Sequence, residues 1–216
     1  MKIQNVTVIG AGIMGSGITN VSALGGFNVV MQDTDSAILK NAMKLIEKNL
    51  QKGIERGKIT EEEKASALSR ITSASDIEAA CQNADLVIEA LPDNLAPKQD
   101  IFARIEKSCP DHTILGTNTY SMSITEIAAN VSNPAKTVGM HFFNPVHIMK
   151  PVEIVCGLET SDETFKACKS ACRQMGKKTV EFNELPGFVT NRMNAMIGIE
   201  VFTMLYEGLG GNTEGH

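Results

Sequence analysis

The sequence predicts an α/β protein built on a doubly wound sheet, and three observations carry that prediction. Short apolar runs of strand length alternate with longer stretches of helical periodicity, as expected where crossover helices cover a mostly parallel sheet. The first apolar run leads straight into a glycine-rich loop that opens a helix. The second ends on an acidic residue, Asp33.

Taken in order, Asn5-Val6-Thr7-Val8-Ile9 reads as a buried strand. Residues 12–24 read as a helix stopped by Gly25-Gly26, and residues 27–32 as the second strand. A long amphipathic helix follows, with Ile38, Leu39, Ala42, Met43, Leu45, Ile46 and Leu50 on its apolar side. Thr60 with Glu63 forms a capping-box pattern and opens another helix through Leu68, completing a helical insertion. Residues 70–72 and 84–89 read as strands, 98–108 as helix and 113–115 as strand. Ser123 with Glu126, and Thr160 with Glu163, repeat the capping-box pattern. Residues 137–140 and 151–155 read as two further strands.

The pattern changes at Pro186-Gly187. Residues 191–206 read as a helix, but Met193, Met196, Ile197, Ile199, Val201, Phe202, Met204 and Leu205 make it apolar nearly all round. Such a helix expects cover on most sides. A flexible polar tail is expected over residues 208–216. The division is therefore a main domain over residues 1–185, followed over 186–216 by the start of a truncated helical domain.

The 216 residues suit one large domain, or one domain with part of another. Apolar residues make up 43%, enough for a sizeable core. With 20 basic against 25 acidic residues the net charge is a mild −5, which argues against nucleic-acid and membrane-surface binding. The apolar stretches are too short to span a bilayer. Met1-Lys2 runs directly into a strand pattern, leaving no room for a leader peptide, so a cytoplasmic location is expected. The five cysteines are odd in number and lack Cys-x-x-Cys spacing, which speaks against a disulfide framework or a metal site. Cys168 and Cys172 share a helix face and are expected as small buried apolar groups.

Gly10-Ala11-Gly12-Ile13-Met14-Gly15 fits the G-x-G-x-x-G pattern in its required context, after a strand and before a helix. Gly10 allows the tight turn, Gly12 lets the backbone approach a pyrophosphate, and Gly15 lets helix and strand pack closely. The helix start offers free N–H groups and a positive dipole end to phosphates. Asp33 follows at about the spacing, roughly 20 residues, of an acid that accepts hydrogen bonds from a ribose hydroxyl. A carboxylate there repels a phosphate, and Thr34-Asp35 supplies no arginine to reverse this. A Rossmann-type domain using NAD rather than NADP is expected.

His141-Phe142-Phe143-Asn144-Pro145 places an imidazole at the end of an apolar strand-like run. Glu153 lies inside the next such run, and Asn191 follows in the block from Pro186 to Arg192. Base, orienting acid and polar clamp are the parts needed to move a proton on and off a carbon-bound oxygen.

With the glycine loop, Asn118-Thr119, the block from His141 to Pro145, Glu153 and the block from Pro186 to Arg192 in order, the chain resembles the L-3-hydroxyacyl-CoA dehydrogenase family over residues 1–207. Within it, the bacterial 3-hydroxybutyryl-CoA dehydrogenases are the most similar. The resemblance implies that His141 is the general acid/base, that Glu153 holds and polarises it, and that Asn191 hydrogen-bonds the reacting oxygen. It implies cofactor contacts at Gly10, Gly12, Ile13, Met14, Gly15, Asp33, Asp93, Lys98, Asn118 and Asn144. Asp93 stands where the family has glutamate. Arg56, beside Lys52 and Lys58, falls where the family meets the phosphates of coenzyme A. Tyr120 replaces the substrate-contacting serine of the family and, with Ser121, is expected at the substrate. The implied activity is interconversion of short-chain (S)-3-hydroxyacyl-CoA and 3-oxoacyl-CoA. A homo-oligomer, or self-association through residues 191–207, is expected. Two other readings stand beside this one: another two-domain hydroxy-acid dehydrogenase, and a truncated NAD-binding protein with little turnover.

Overall fold

The computed structural model describes residues 2–185 and 187–209. Met1, Pro186 and residues 210–216 lie outside the described residues, and with them most of the tail expected from residue 208.

Among the described residues eight strands form one sheet: β1 (Asn5–Ile9), β2 (Asn28–Gln32), β3 (Ile71–Ala74), β4 (Leu86–Glu89), β5 (Ile114–Thr117), β6 (Thr137–Phe142), β7 (Pro151–Cys156) and β8 (Lys178–Asn183). Their order is β3-β2-β1-β4-β5-β6-β7-β8. The first six are parallel, in the doubly wound order with its switch point between β1 and β4. β7 runs antiparallel to β6, and β8 parallel to β7.

The helices are α1 (Ile13–Leu24), α2 (Ser36–Glu55), α3 (Glu61–Ser69), α4 (Ile77–Cys81), α5 (Leu95–Glu106), α6 (Ile124–Ile127), α7 (Asp162–Gln174) and α8 (Thr190–Tyr206). They cover both faces of the sheet, so the central strands read as continuous apolar runs. Alternate residues feed two cores. Val8, Leu86 and Ile88 join Ile18, Ile46 and Cys172 on one face. Ile9 and Val87 join Phe102, Ile105 and Ile127 on the other.

The capping box at Thr60 and Glu63 is present with both of its hydrogen bonds. Ser123 caps α6 by accepting from the Glu126 N–H. The expected box at Thr160 and Glu163 does not form. Ser161 caps α7 instead, accepting from the Thr164 N–H. Thr160 is occupied elsewhere, its hydroxyl accepting from the Gly157 N–H and donating to the Thr137 carbonyl. Among the described residues α4 and β8 were not expected, nor were two short 3-10 helices, Ala128–Asn130 and Pro134–Lys136. α4 is five residues long, shorter than any helical period can mark. β8 is an edge strand with no fully buried residue, so it lacks the apolar run that marks its neighbours.

All five cysteines are free thiols, and Cys81, Cys168 and Cys172 are buried. None of the described helices is long and apolar enough to cross a membrane. α8 differs from the rest of the chain: no residue of its 17 is buried, and Phe202 is 74% exposed.

Candidate active site

The glycine loop joins β1 to α1 at the switch point. Gly10 has φ +89°, a conformation costly for any other residue, and its N–H donates to the Gln32 carbonyl at 2.8 Å. A Cβ on Gly15 would lie 1.7 Å from the Gly10 carbonyl oxygen, so only hydrogen fits where the helix folds back on the loop. Gly12 is different. A Cβ there would meet nothing within 4 Å, so this backbone faces open space. Gly12 is also the N-cap of α1 and offers no side-chain cap. The first N–H groups of the helix are thus left for an anion. Ile13 is exposed at this helix start, and Met14 is half-buried against the core.

Asp33, just beyond β2, is tied to the loop. Its Oδ2 accepts from the Ala11 N–H at 2.9 Å, and its Oδ1 from the Asp35 N–H at 3.1 Å. Each oxygen keeps a further acceptor site, as a ribose diol requires. The cap of α2 is Asp35, which accepts from the Ala37 N–H, so Asp33 is free of that duty. Open backbone at Gly12 and a carboxylate beside it fit a dinucleotide with a free ribose.

The catalytic candidates meet across the antiparallel pair. In the β6–β7 register His141 lies directly opposite Glu153. His141 Nδ1 and Glu153 Oε2 are 2.7 Å apart, with the His141 side chain 11% exposed and Glu153 buried. A carboxylate only accepts, so Nδ1 carries the proton and Nε2 presents its lone pair. Phe143 packs on the ring at 4.5 Å between centroids, and Phe188 lies at 6.3 Å. The imidazole is thus held by one polar partner and two apolar ones.

Asn118 follows β5, and its Oδ1 accepts from the Phe142 N–H at 2.9 Å, beside His141. Asp93 accepts from the Thr119 hydroxyl at 2.8 Å and from the Tyr120 N–H at 3.3 Å. Tyr120 is 53% exposed, and its carbonyl accepts from Asn191 Nδ2 at 2.6 Å. Asn191 keeps its second N–H and its Oδ1 for another partner. Ser121 is half-buried, and its carbonyl accepts from the Gly187 N–H at 3.4 Å. Asn144 is exposed in the β6–β7 connection, joined to Pro145 by a cis peptide bond. Lys98 is enclosed. Its ammonium donates to both oxygens of buried Glu89 at 2.7 and 2.8 Å and to the Leu91 carbonyl at 3.2 Å, and it pairs with Asp93 at 3.2 Å. Its three protons are committed inside the protein, to Glu89, the Leu91 carbonyl and Asp93.

Residues 5–185 match the family described as 3-hydroxyacyl-CoA dehydrogenase, NAD binding domain. The chain belongs to the 3-hydroxyacyl-CoA dehydrogenase family. Its cofactor is NAD. A probable 3-hydroxybutyryl-CoA dehydrogenase of Bacillus subtilis is 43% identical over 209 residues, covering 97% of this chain and 72% of the relative. A 3-hydroxyadipyl-CoA dehydrogenase of Escherichia coli is 41% identical over 193 residues, covering 89% of this chain but 40% of the relative. The solved (S)-3-hydroxybutyryl-CoA dehydrogenase of Ralstonia eutropha superposes with a TM-score of 0.93 at 38% identity, over 99% of this chain and 75% of that one.

Other groups around the site of this family member escaped the sequence reading. Glu89 anchors Lys98 and accepts from the Thr117 hydroxyl at 2.8 Å. A buried acid at a strand end was its only mark. Thr190 reaches Glu153 and had no mark beyond its place beside Asn191. Asn20 and His147 had no mark either; they border a cavity of about 160 Å³ together with Lys52, Arg56 and Lys58, the basic residues the sequence did single out. Asn20 is buried with both amide atoms unpartnered among the described residues. Burial, then the charges of Lys177, Lys52, Arg56 and Lys58, hold His147 below the usual histidine range. The cavity is electropositive.

Proposed function

We propose that this chain is the NAD-binding and proton-transferring part of a 3-hydroxyacyl-CoA dehydrogenase, interconverting short-chain (S)-3-hydroxyacyl-CoA and 3-oxoacyl-CoA. The observation that carries this reading is the His141–Glu153 pair, 2.7 Å apart across β6 and β7. When bound, NAD supplies the site for hydride. Gly10, Gly12 and Gly15 with Ile13 and Met14 hold its phosphates, and Asp33 holds its ribose. Asp93, with Lys98 behind it, and Asn118 and Asn144 complete that wall. In oxidation, His141 Nε2 takes the proton of the substrate hydroxyl, and Glu153 stabilises the charge that develops on the ring. In reduction the imidazolium returns the proton. Asn191 donates to the substrate oxygen with its remaining N–H. Tyr120 and Ser121 border the acyl group.

The basic cavity beside Arg56 suits the phosphates of coenzyme A. The names of the relatives in Bacillus and Ralstonia support the four-carbon substrate. We place the division of the chain at residue 186, with α8 opening a second unit. Its bare apolar surface supports association of copies through residues 191–207. Size-exclusion chromatography is expected to show species larger than a monomer, and a clean monomer would overturn that part.

Acetoacetyl-CoA reduction, followed by loss of NADH absorbance, tests the activity. Turnover supports the reading. NADH binding without turnover would favour an NAD-binding protein of little activity. Turnover of free hydroxy acids in preference to CoA esters would favour a different dehydrogenase class.

A further inference from the structure

α8 starts without a cap of its own. Val189 at its N-cap has no side-chain hydrogen bond to the helix. Such an end leaves backbone donors and a positive dipole needing an acceptor. Glu153, from the middle of β7, fills that place. Its Oε1 accepts from the Thr190 hydroxyl at 2.6 Å and from the Thr190 N–H at 3.3 Å. Its other oxygen, Oε2, is the one that meets His141. The two carboxylate oxygens thus have separate partners: the imidazole on one side, the first residue of α8 on the other.

The chain reaches this arrangement through a constrained turn. Gly187 has φ +76° and Phe188 φ +49°, the latter an uncommon conformation for a side chain with a ring. Phe188 is buried with Ile124 and Val155, which fixes the turn against the sheet. The turn delivers Thr190 to Glu153 and Asn191 to the Tyr120 carbonyl in consecutive positions.

We propose that Thr190 is a positioning residue for the His141–Glu153 pair: its hydroxyl fixes the Glu153 carboxylate at the start of α8, and through it the tautomer and orientation of the His141 ring. The inference rests on the dehydrogenase reading for its kinetic consequence, and on geometry alone for its effect on the ring. A carboxylate held at both oxygens cannot rotate about its last bond. With the hydroxyl gone and only the longer 3.3 Å bond from the Thr190 N–H left on Oε1, it can turn Oε2 away from Nδ1, and the ring then samples the tautomer that puts its proton on Nε2. That tautomer has no lone pair facing the substrate hydroxyl.

Two variants separate the hydroxyl from the packing. Thr190→Val keeps the shape and removes the donor. Thr190→Ser keeps the donor and removes a methyl group. In the full chain, the ¹⁵N shifts of the His141 ring, assigned by their loss in His141→Ala, report the tautomer. Thr190→Val is expected to lower the Nδ1–H fraction, and to lower kcat for acetoacetyl-CoA reduction about three- to ten-fold with KM for NADH unchanged. Thr190→Ser is expected to stay within about twofold of the unmodified chain. Unchanged ring shifts in Thr190→Val overturn the proposal. So does a Thr190→Ser chain as impaired as Thr190→Val, because packing would then be the cause. An unmodified chain without turnover would sink the dehydrogenase reading alone, and the ring shifts would still decide the role of Thr190.

Discussion

At the junction of β1 and β4 the groups proposed to face a ligand belong mostly to the main chain. Gly10, Gly12 and Gly15 act by lacking side chains, and the start of α1 offers bare N–H groups. At the β6–β7 pair the working groups are side chains. His141 and Glu153 come from neighbouring strands, Thr190 from a helix start and Asn191 from the residue after it. The first region is local in sequence and tolerates little change of shape. The second is assembled from three places, β6, β7 and the start of α8, and tolerates little change of chemistry. Damage to one should therefore differ in kind from damage to the other.

The largest expected effect is at the side-chain end. His141→Ala should lower the rate of acetoacetyl-CoA reduction by about 10²–10⁴, as for loss of a general acid/base. NADH affinity, measured by fluorescence, should hardly change, because His141 lies on β6 while the proposed phosphate site is at the end of β1. Loss of NADH binding together with rate would break the separation of the two regions.

The glycine loop sharpens the comparison from within. Gly15→Ala forces a Cβ to 1.7 Å from the Gly10 carbonyl oxygen, so the loop must move. Overpacking of this kind costs about 1–3 kcal/mol and should lower Tm together with NADH affinity. Gly12→Ala meets nothing within 4 Å in the protein. It should leave Tm within error and weaken NADH binding alone, because the added methyl would stand between the backbone and the pyrophosphate at the proposed site. Equal melting temperatures for the two variants would contradict this account of the loop.

Asp33 is the side chain proposed to select the ligand at the main-chain end. Asp33→Ala removes acceptors for the ribose and the repulsion of an extra phosphate. NADH affinity should fall by about 1–3 kcal/mol, the range for hydrogen bonds to a charged group, and the preference over NADPH should narrow. Because Asp33 also accepts from Ala11 at 2.9 Å, part of that loss is loop order. Asp33→Asn keeps one acceptor and should fall between. Equal use of NADH and NADPH by the unmodified chain would remove the basis for this selectivity.

The same contrast explains what was legible in the sequence. Strands β1, β2 and β4, and the glycine loop between the first helix and β1, follow from runs of adjacent residues, so periodicity and spacing reveal them. The opposition of His141 and Glu153 depends on the β6–β7 register, which residue spacing alone does not state. Resemblance supplied those two roles; the register supplies the physical reason they meet. Thr190 and Glu89 were invisible because a hydroxyl or an acid has no periodicity, and only the fold gives it a partner. The Thr160 capping box failed for a related reason: the pattern was local, but the Thr137 carbonyl across the fold took its hydroxyl. α8 was legible in its apolar character, which calls for cover on most sides; its exposure was not legible, and among the described residues nothing buries it.

Tyr120 lies where the two regions meet, and the smallest effect is expected there. Its backbone is engaged at both ends, the N–H by Asp93 on the cofactor side and the carbonyl by Asn191 on the proton-transfer side. Those bonds do not depend on the side chain, so Tyr120→Ser should leave the backbone in place and test the ring alone. The ring is 53% exposed, which makes its removal inexpensive in stability, within about 0.5 kcal/mol as for most surface changes. A phenol reaches further than a serine hydroxyl and would take up space at the mouth of the proposed acyl site. A serine here offers a short donor close to the loop and frees that space. Its hydrogen bond is worth on the order of 1 kcal/mol, or several-fold in rate. Tyr120→Ser is therefore expected to raise kcat/KM a few-fold, most for the longer members of a four- to ten-carbon acyl-CoA series. If activity stays level or falls across that series, the ring contributes to the site as it stands, and Tyr120 joins the side-chain region rather than marking its edge.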